Sequence, residues 1–495
     1  MNDKKNFNIE KTFELAIQNH KKNNFQIAEK FYKEILEINS NHFASIFYLG
    51  TLLAQTKRLN LAKPMLFKAI QIQPNYADAH NNFGNILKEL GEYKDALNSY
   101  EKAIQIQPNL ASAHYNLGLI QKELGEHQKA KNSYEKAVRY NPGNLVYLYH
   151  LSDLDEKILN SNLKNKIYEI IEKNNSSKKN IAYGNFLLSK YELNEKEYEN
   201  ELDYLLKGHQ YYFESEEKKF KKGIEYWLNI LPKRKELINL KEYYKNIEKE
   251  NFSIKPIFIV GVPRCGSTLI EKVIASGNQY VPIGEETGII HTVIQNIINN
   301  EQSSNPKTKN LLKEISVAYK NKGLVHKKSN YMFTDKSLEN FFYIDIIQKI
   351  FPEAKIINCR RDALSSIMST LKNNQIFQAW AHNLENIFKY HDIYYRMIEN
   401  FKKTMPNFIY DLEYEKFINN PEDESKKLMR FCGIPWDIKC LEFYKRKDLF
   451  SKTASNVQIR KAIYKDSINK YLPYKNFLIK HGKKYSWFNR QQTLS

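Results

Sequence analysis

Lys255-Pro-Ile-Phe-Ile-Val-Gly-Val-Pro-Arg-Cys-Gly-Ser-Thr-Leu-Ile-Glu271 reads as a strand, a tight loop and the start of a helix. Ile257 to Val260 are four consecutive apolar residues, three of them β-branched, between Pro256 and Gly261. A strand buried on both faces of a parallel sheet has this composition. After Arg264-Cys265-Gly266-Ser267-Thr268, the apolar positions Leu269, Ile270, Val273 and Ile274 take up helical spacing. Such a turn aims several backbone N–H groups and a helix N-terminus at one point, which favours a phosphate.

The loop departs from the Walker A pattern G-x-x-x-x-G-K-S/T at one place, where Ser267 stands for the lysine that reaches the β/γ-phosphates of a triphosphate. Triphosphate hydrolysis therefore fits poorly, and Arg264 can supply the positive charge instead. On these residues alone, another phosphate loop or a plain strand-to-helix turn stays open. Pro263-Arg264-Cys265-Gly266-Ser267-Thr268-Leu269 resembles the 5′-phosphosulfate loop of sulfotransferases, commonly P-R-S-G-T-T-L. That resemblance implies 3′-phosphoadenosine 5′-phosphosulfate (PAPS) as donor, 3′-phosphoadenosine 5′-phosphate as product, and Arg264, Cys265, Gly266, Ser267 and Thr268 as donor-binding residues.

Later segments follow the same family in order. Lys355-Ile-Ile-Asn-Cys359 reads as a second buried strand delivering Arg360-Arg361-Asp362 to a helix that bears Ser369. A guanidinium fork and a hydroxyl two turns along a helix can hold one phosphate from two sides. The family's 3′-phosphate arginine and serine have the spacing of Arg361 and Ser369. An arginine that the family carries four residues after that serine is Asn373 here. Ile283-Gly284-Glu285-Glu286-Thr287 resembles the G-E-E-T of tyrosylprotein sulfotransferases, whose second glutamate is the base. This implies Glu286 as base, with His291 as fallback. Phe333-Thr334-Asp335-Lys336 lies where the family places a leaving-group lysine, implying Lys336 in that role, in an uncertain register because the family writes K-D-P rather than D-K-S. Tyr414-Glu415 and Phe431-Cys-Gly-Ile-Pro-Trp436 match the family's Y-E and F-L-x-I-P-W segments, and imply Tyr414 as a nucleotide contact. Ser455-Asn-Val-Gln-Ile-Arg460 and Lys470 match the stretch with a catalytic serine and a phosphate-binding lysine.

The chain before this domain is periodic. Pro74, Pro108 and Pro142 lie 34 residues apart with Ser40 in phase, as do Gly50, Gly84 and Gly118, and Ala28, Ala62, Ala96 and Ala130. The pattern resembles the tetratricopeptide repeat, a helix pair with small residues at the crossing. Four units fit 7–40, 41–74, 75–108 and 109–142, the first degenerate, within a repeat region of 7–142. A helical extension then runs over 143–250, including Ile181 to Lys190 and Glu201 to Lys207, and the sulfotransferase-like domain occupies 251–495. Strand and helix signals alternate in it, with a third strand at Asn407-Phe-Ile-Tyr410. The expected fold is a helical solenoid followed by an α/β P-loop-like domain with a parallel sheet and its ligand at the strands' C-terminal ends. Asn82, Asn116 and Lys88 recur where the concave face of such arrays lies, so a protein or peptide partner can dock there.

Composition bounds the rest. Hydrophobic residues make up 42% and charged residues 27%, as in globular domains. No apolar run approaches the roughly 18 residues of a transmembrane helix, and no secretory leader opens the chain, so a cytoplasmic protein is expected. Four cysteines without a C-x-x-C pair fit a reducing compartment and no metal site. The net charge of +20 rests on a chain rich in lysine throughout, without zinc spacing or a base-stacking signature, and nucleic acid is not the expected partner. A polyanionic nucleotide suits the charge equally well. The expected activity is sulfuryl transfer from PAPS to an acceptor hydroxyl without a metal. The acceptor is a protein tyrosine presented by the repeats, or alternatively a carbohydrate or lipid-linked sugar. A P-loop kinase or NTPase and a non-catalytic scaffold are the rival readings.

Overall fold

A computed structural model describes residues 2–173, 176–234, 254–301, 311–325, 332–373, 378–446, 460–463 and 469–488. The chain divides into two compact units, Met1–Glu172 and Lys173–Ser495. No helix among the described residues is long and apolar enough to cross a membrane.

In the first unit the 34-residue period becomes four helix pairs, Asn2–Lys21 with Phe25–Ile38, Phe43–Gln55 with Leu59–Ile72, Ala77–Leu90 with Tyr93–Ile106, and Ala111–Glu123 with His127–Tyr140. Ala28, Ala62, Ala96 and Ala130 are wholly buried. Each repeating glycine faces a bulky side chain on its partner helix. A Cβ on Gly84 would stand 2.7 Å from the Tyr100 ring, and one on Gly118 2.6 Å from the Tyr134 ring. The close approach lets a tyrosine fill the crossing, which is why the small residue recurs. Asn82 and Asn116 reach back one repeat, their amides donating to Thr51 Oγ1 at 3.2 Å and to Asn81 Oδ1 at 2.9 Å.

In the second unit a four-stranded parallel sheet runs in the order β2-β1-β3-β4, with β1 Lys255–Gly261, β2 Met332–Asp335, β3 Lys355–Arg360 and β4 Ile409–Glu413. The run Ile257 to Val260 is fully buried, as its composition requires. Two expectations shift. The strand expected at 407–410 begins two residues later, after a turn at 405–408, because Asn407 follows Pro406. The strand β2 was read only as a chemical motif, since four residues carrying a threonine and an aspartate show no apolar run.

The helices Lys178–Asn194, Tyr198–Ser215 and Glu217–Glu225 belong to this second unit, although the sequence places them in an extension reaching residue 250. The expected boundary near 250 lies outside the described residues. The His382 ring packs against the rings of Tyr212 and Phe220, each 4.9 Å away, and its Nδ1 meets His209 Nδ1 at 3.0 Å. Burial pulls His209 down to about 4 and His382 to about 3, so both are neutral near pH 7.

Gly118→Ala tests the repeat packing. Alanine favours a helix interior over glycine by about 1 kcal/mol, whereas overpacking costs about 1–3 kcal/mol. The expected net result is a loss of about 1 kcal/mol, read as a lower urea midpoint by far-ultraviolet circular dichroism.

Candidate functional site

The loop after β1 is shaped by two glycines. A Cβ on Gly261 would stand 2.8 Å from both Cys265 Sγ and the Cys359 carbonyl oxygen, so the loop folds back over the end of β3. Gly266 caps the helix Ser267–Ala275 with φ of 94°, a left-handed conformation that suits glycine. Its Cβ would fall 2.3 Å from the Tyr414 ring. The backbone of the loop thus passes against that ring, and the N-terminus of the helix opens beside it.

Arg264 also takes a left-handed φ, 68°, and its Nε donates to Ser369 Oγ at 3.0 Å. Arg361 Nη1 donates to the Arg264 carbonyl oxygen at 3.0 Å, and the Arg361 guanidinium carbon lies 4.8 Å from the Tyr414 ring centroid. Asp362 caps the Ser369 helix, Ala363–Lys372, by accepting from Ser365 N at 2.7 Å. Arg264, Arg361, Ser369 and Tyr414, spread over 150 residues, therefore form one contiguous group (positions 264 to 414). The sequence reading assigned Arg264 to the 5′ side of a nucleotide, whereas its side chain lies with Ser369. Asn373, at the place of the missing arginine, donates to the Ser369 carbonyl oxygen at 2.6 Å.

On the other flank of the loop lies a cluster of carboxylates and lysines. Lys336 is 1% exposed, and its Nζ stands 3.5 Å from Glu285 and 3.7 Å from Glu286. Burial disfavours its charge, but the carboxylates of Glu271, Glu285 and Glu286 outweigh burial and hold the ammonium above its ordinary range. The adjacent Asp335 spends its oxygens elsewhere: Tyr319 and Thr287 hydroxyls donate to it at 2.6 and 2.7 Å, and Ser337 N at 2.9 Å. Lys336 therefore faces the glutamates rather than pairing with its neighbour.

Glu286 takes φ of 46°, an uncommon conformation for a residue with a side chain. Its carboxylate is 58% exposed, so an incoming group can reach it. Gly284 before it is required by contact, since a Cβ there would lie 2.2 Å from the Thr334 carbonyl oxygen. Backbone strain of this kind costs about 1–3 kcal/mol and gathers at functional sites. His291, the fallback base, is otherwise engaged. Its Nδ1 is hydrogen-bonded to Tyr343 at 2.7 Å, its ring stacks on Trp227 at 4.8 Å, and burial pulls it down to about 4.

The loop joins the two flanks. Cys265 is 1% exposed, and its thiol is lowered chiefly by a hydrogen bond with Cys359, which is itself raised. Ser267 and Thr268 are buried at the helix N-terminus. Lys470 is exposed in a turn, and Ser455 lies outside the described residues.

Sequence reasoning passed over Glu271. It is wholly buried on the loop helix and accepts from Thr334 Oγ1 at 2.9 Å. Burial pushes it up to about 7, against the pull of Lys336 and Lys272. An acidic residue among Leu269, Ile270, Val273 and Ile274, on a helix that follows a phosphate loop, was the available signal.

Residues 256–438 match the model of the Sulfotransferase family, and 66–98, 84–125 and 111–144 match tetratricopeptide-repeat models. An uncharacterized protein of Aquifex aeolicus (strain VF5) is 30% identical over 241 residues, 46% of this chain and 31% of that protein. Protein-tyrosine sulfotransferase 1 of Danio rerio is 26% identical over 205 residues, 37% of this chain and 54% of that enzyme. Protein-tyrosine sulfotransferase A of Caenorhabditis elegans is 24% identical over 246 residues, 44% of this chain and 60% of that enzyme. The chain thus spans 31 to 60% of the length of these relatives.

Glu271 makes a pH-dependent prediction. Its carboxyl is raised from 4.5 to about 7, so the folded chain keeps a proton that the unfolded chain has lost. The stability this contributes is full below pH 4.5 and is lost as pH rises through about 7. Between about pH 5 and 8 this group should cost the wild type on the order of 3 kcal/mol. Glu271→Gln should flatten that decline in urea unfolding measured at the two pH values.

Proposed function

We propose that this chain, a fusion of tetratricopeptide repeats with a sulfotransferase-family domain, transfers a sulfuryl group from PAPS to an acceptor hydroxyl. The observation that carries this reading is the division of charge about the loop: Arg264, Arg361 and Ser369 on one flank, and Lys336 with Glu285 and Glu286 on the other. A nucleotide with a phosphate at 3′ and a phosphosulfate at 5′ needs such a pair of sites. The donor set fits it. Two guanidinium groups and a hydroxyl suit the 3′-phosphate, and the glycine cradle, helix N-terminus and Lys336 suit the 5′ end.

PAPS, when bound, supplies an activated sulfuryl group on its 5′-phosphate. Glu286 takes the proton of the acceptor hydroxyl as its oxygen bonds to sulfur. The bond from sulfur to the phosphate oxygen breaks in the same step, and Lys336 and Ser455 meet the charge left on that oxygen. Tyr414 carries the Arg361 guanidinium on its ring face and packs against Gly266. Lys470 adds a further cation for the 3′-phosphate. The names of the two sulfotransferase relatives and the Glu285-Glu286 pair support tyrosine in a protein as acceptor, and a peptide held by the repeats is the form in which it would arrive. All four cysteines are buried free thiols, which supports a reducing, cytoplasmic setting.

Incubation with labelled PAPS and tyrosine peptides or glycans, followed by identification of the sulfated product, tests the reading. Labelled peptide is the expected result, labelled glycan would move the acceptor class, and magnesium-dependent ATP turnover without sulfation would replace the activity. Glu286→Gln should lower transfer by about 10²- to 10⁴-fold, while calorimetry shows adenosine 3′,5′-bisphosphate still bound. Transfer should persist in a metal chelator, because arginine and lysine meet the donor's charge.

A further inference from the structure

Glu201 is a buried carboxylate far from the loop in sequence, yet its partners come from both outlying segments of the donor site. It is 1% exposed in the first turn of the helix Tyr198–Ser215. Its Oε1 pairs with Lys372 Nζ at 2.7 Å, and its Oε2 accepts from the Tyr474 hydroxyl. Lys372 Nζ closes the triangle by donating to the same hydroxyl at 2.8 Å, and it lies 4.4 Å from the Tyr474 ring centroid.

Each partner stands one turn from a candidate phosphate ligand. Lys372 ends the helix that bears Ser369, three residues earlier on the same face. Tyr474 follows Lys470 by four residues through a tight turn, in which Leu472 N donates to the Asn469 carbonyl at 3.0 Å and Tyr474 N to the Tyr471 carbonyl at 2.8 Å. Lys470 is near enough to Lys372 for its charge to add to burial in lowering that ammonium, against the pull of Glu201. A carboxylate buried this deeply is costly unless its partners stay in place, so the triad fixes their separation. Tyr198 adds an edge contact to the Tyr474 ring at 5.9 Å.

We infer that Glu201, through Lys372 and Tyr474, is a positioning residue that sets the spacing between Ser369 and Lys470 and so shapes the 3′-phosphate end of the donor site. The inference rests on the PAPS reading above. It gives the helix Tyr198–Ser215 a part in recognising the nucleotide without touching it. It also offers a substitute for the arginine replaced by Asn373, since rigid placement of the remaining cations strengthens each contact they make.

Charge-conserving variants separate position from field. Glu201→Asp keeps the negative charge but shortens its reach by one methylene, and Tyr474→Phe removes only the bridging hydroxyl. In full-length protein, calorimetry should show adenosine 3′,5′-bisphosphate bound about tenfold more weakly by each variant. Adenosine 5′-monophosphate, which lacks the 3′-phosphate, should change by less than about twofold. Equal weakening of both nucleotides, or a lowered melting temperature with both affinities unchanged, would reduce Glu201 to a structural role and overturn the inference. Should Glu201→Asp fail to fold, Tyr474→Phe reads the same contrast. A wild-type chain that binds neither nucleotide would instead overturn the PAPS reading, and this inference with it.

Discussion

The parallel pairing of β1 with β3 places Gly261 opposite Cys359, and the rest of the site depends on that register. With those two residues level, the loop from Val262 to Gly266 and the segment Arg360-Arg361-Asp362 leave the same edge of the sheet together. Arg361 can then reach the Arg264 carbonyl. A slip of one residue would turn every buried side chain of β1 to the opposite face and carry the loop away from Tyr414. Glycine at 261 and 266 is what lets the chain pass so close to Cys359 and to that ring.

Much of this was legible in the sequence because it is local. The apolar run at 257–260, the glycine loop and the 34-residue period each have a short-range signature, and each forms the element expected. The grouping of Lys336 with Glu286 followed only from motif order and needed the fold to become geometry. Other features were illegible for physical reasons. The strand β2 carries Thr334 and Asp335, whose burial is tolerated because each finds hydrogen-bond partners from distant segments. Glu201 resembles an ordinary helix surface residue until tertiary packing buries it. The side on which Arg264 lies was also beyond sequence, since its backbone takes a conformation that its residue type does not announce.

The buried and half-buried cations share a pattern. Lys336 has three glutamates around it, Lys372 has one glutamate and a phenol, and Arg234 has Asp345 with the Phe342 carbonyl. Each cation is compensated by groups from separate segments, so each doubles as a cross-link within the unit. Removing one partner of such a pair leaves an uncompensated charge in a medium of low polarity, which destabilises far more than the pair's own net worth. The candidate site is therefore held together by ion pairs between distant segments.

The packing of Tyr212 and Phe220 against His382 bears on where the second unit can be cut. A recombination breakpoint placed just ahead of β1 would strip away both rings packed against that imidazole, along with His209, and leave it uncovered. A cut that keeps the packing of the second unit whole has to fall upstream of Lys178. The compact unit is accordingly longer at its leading end than the stretch 256–438 that the family model matches.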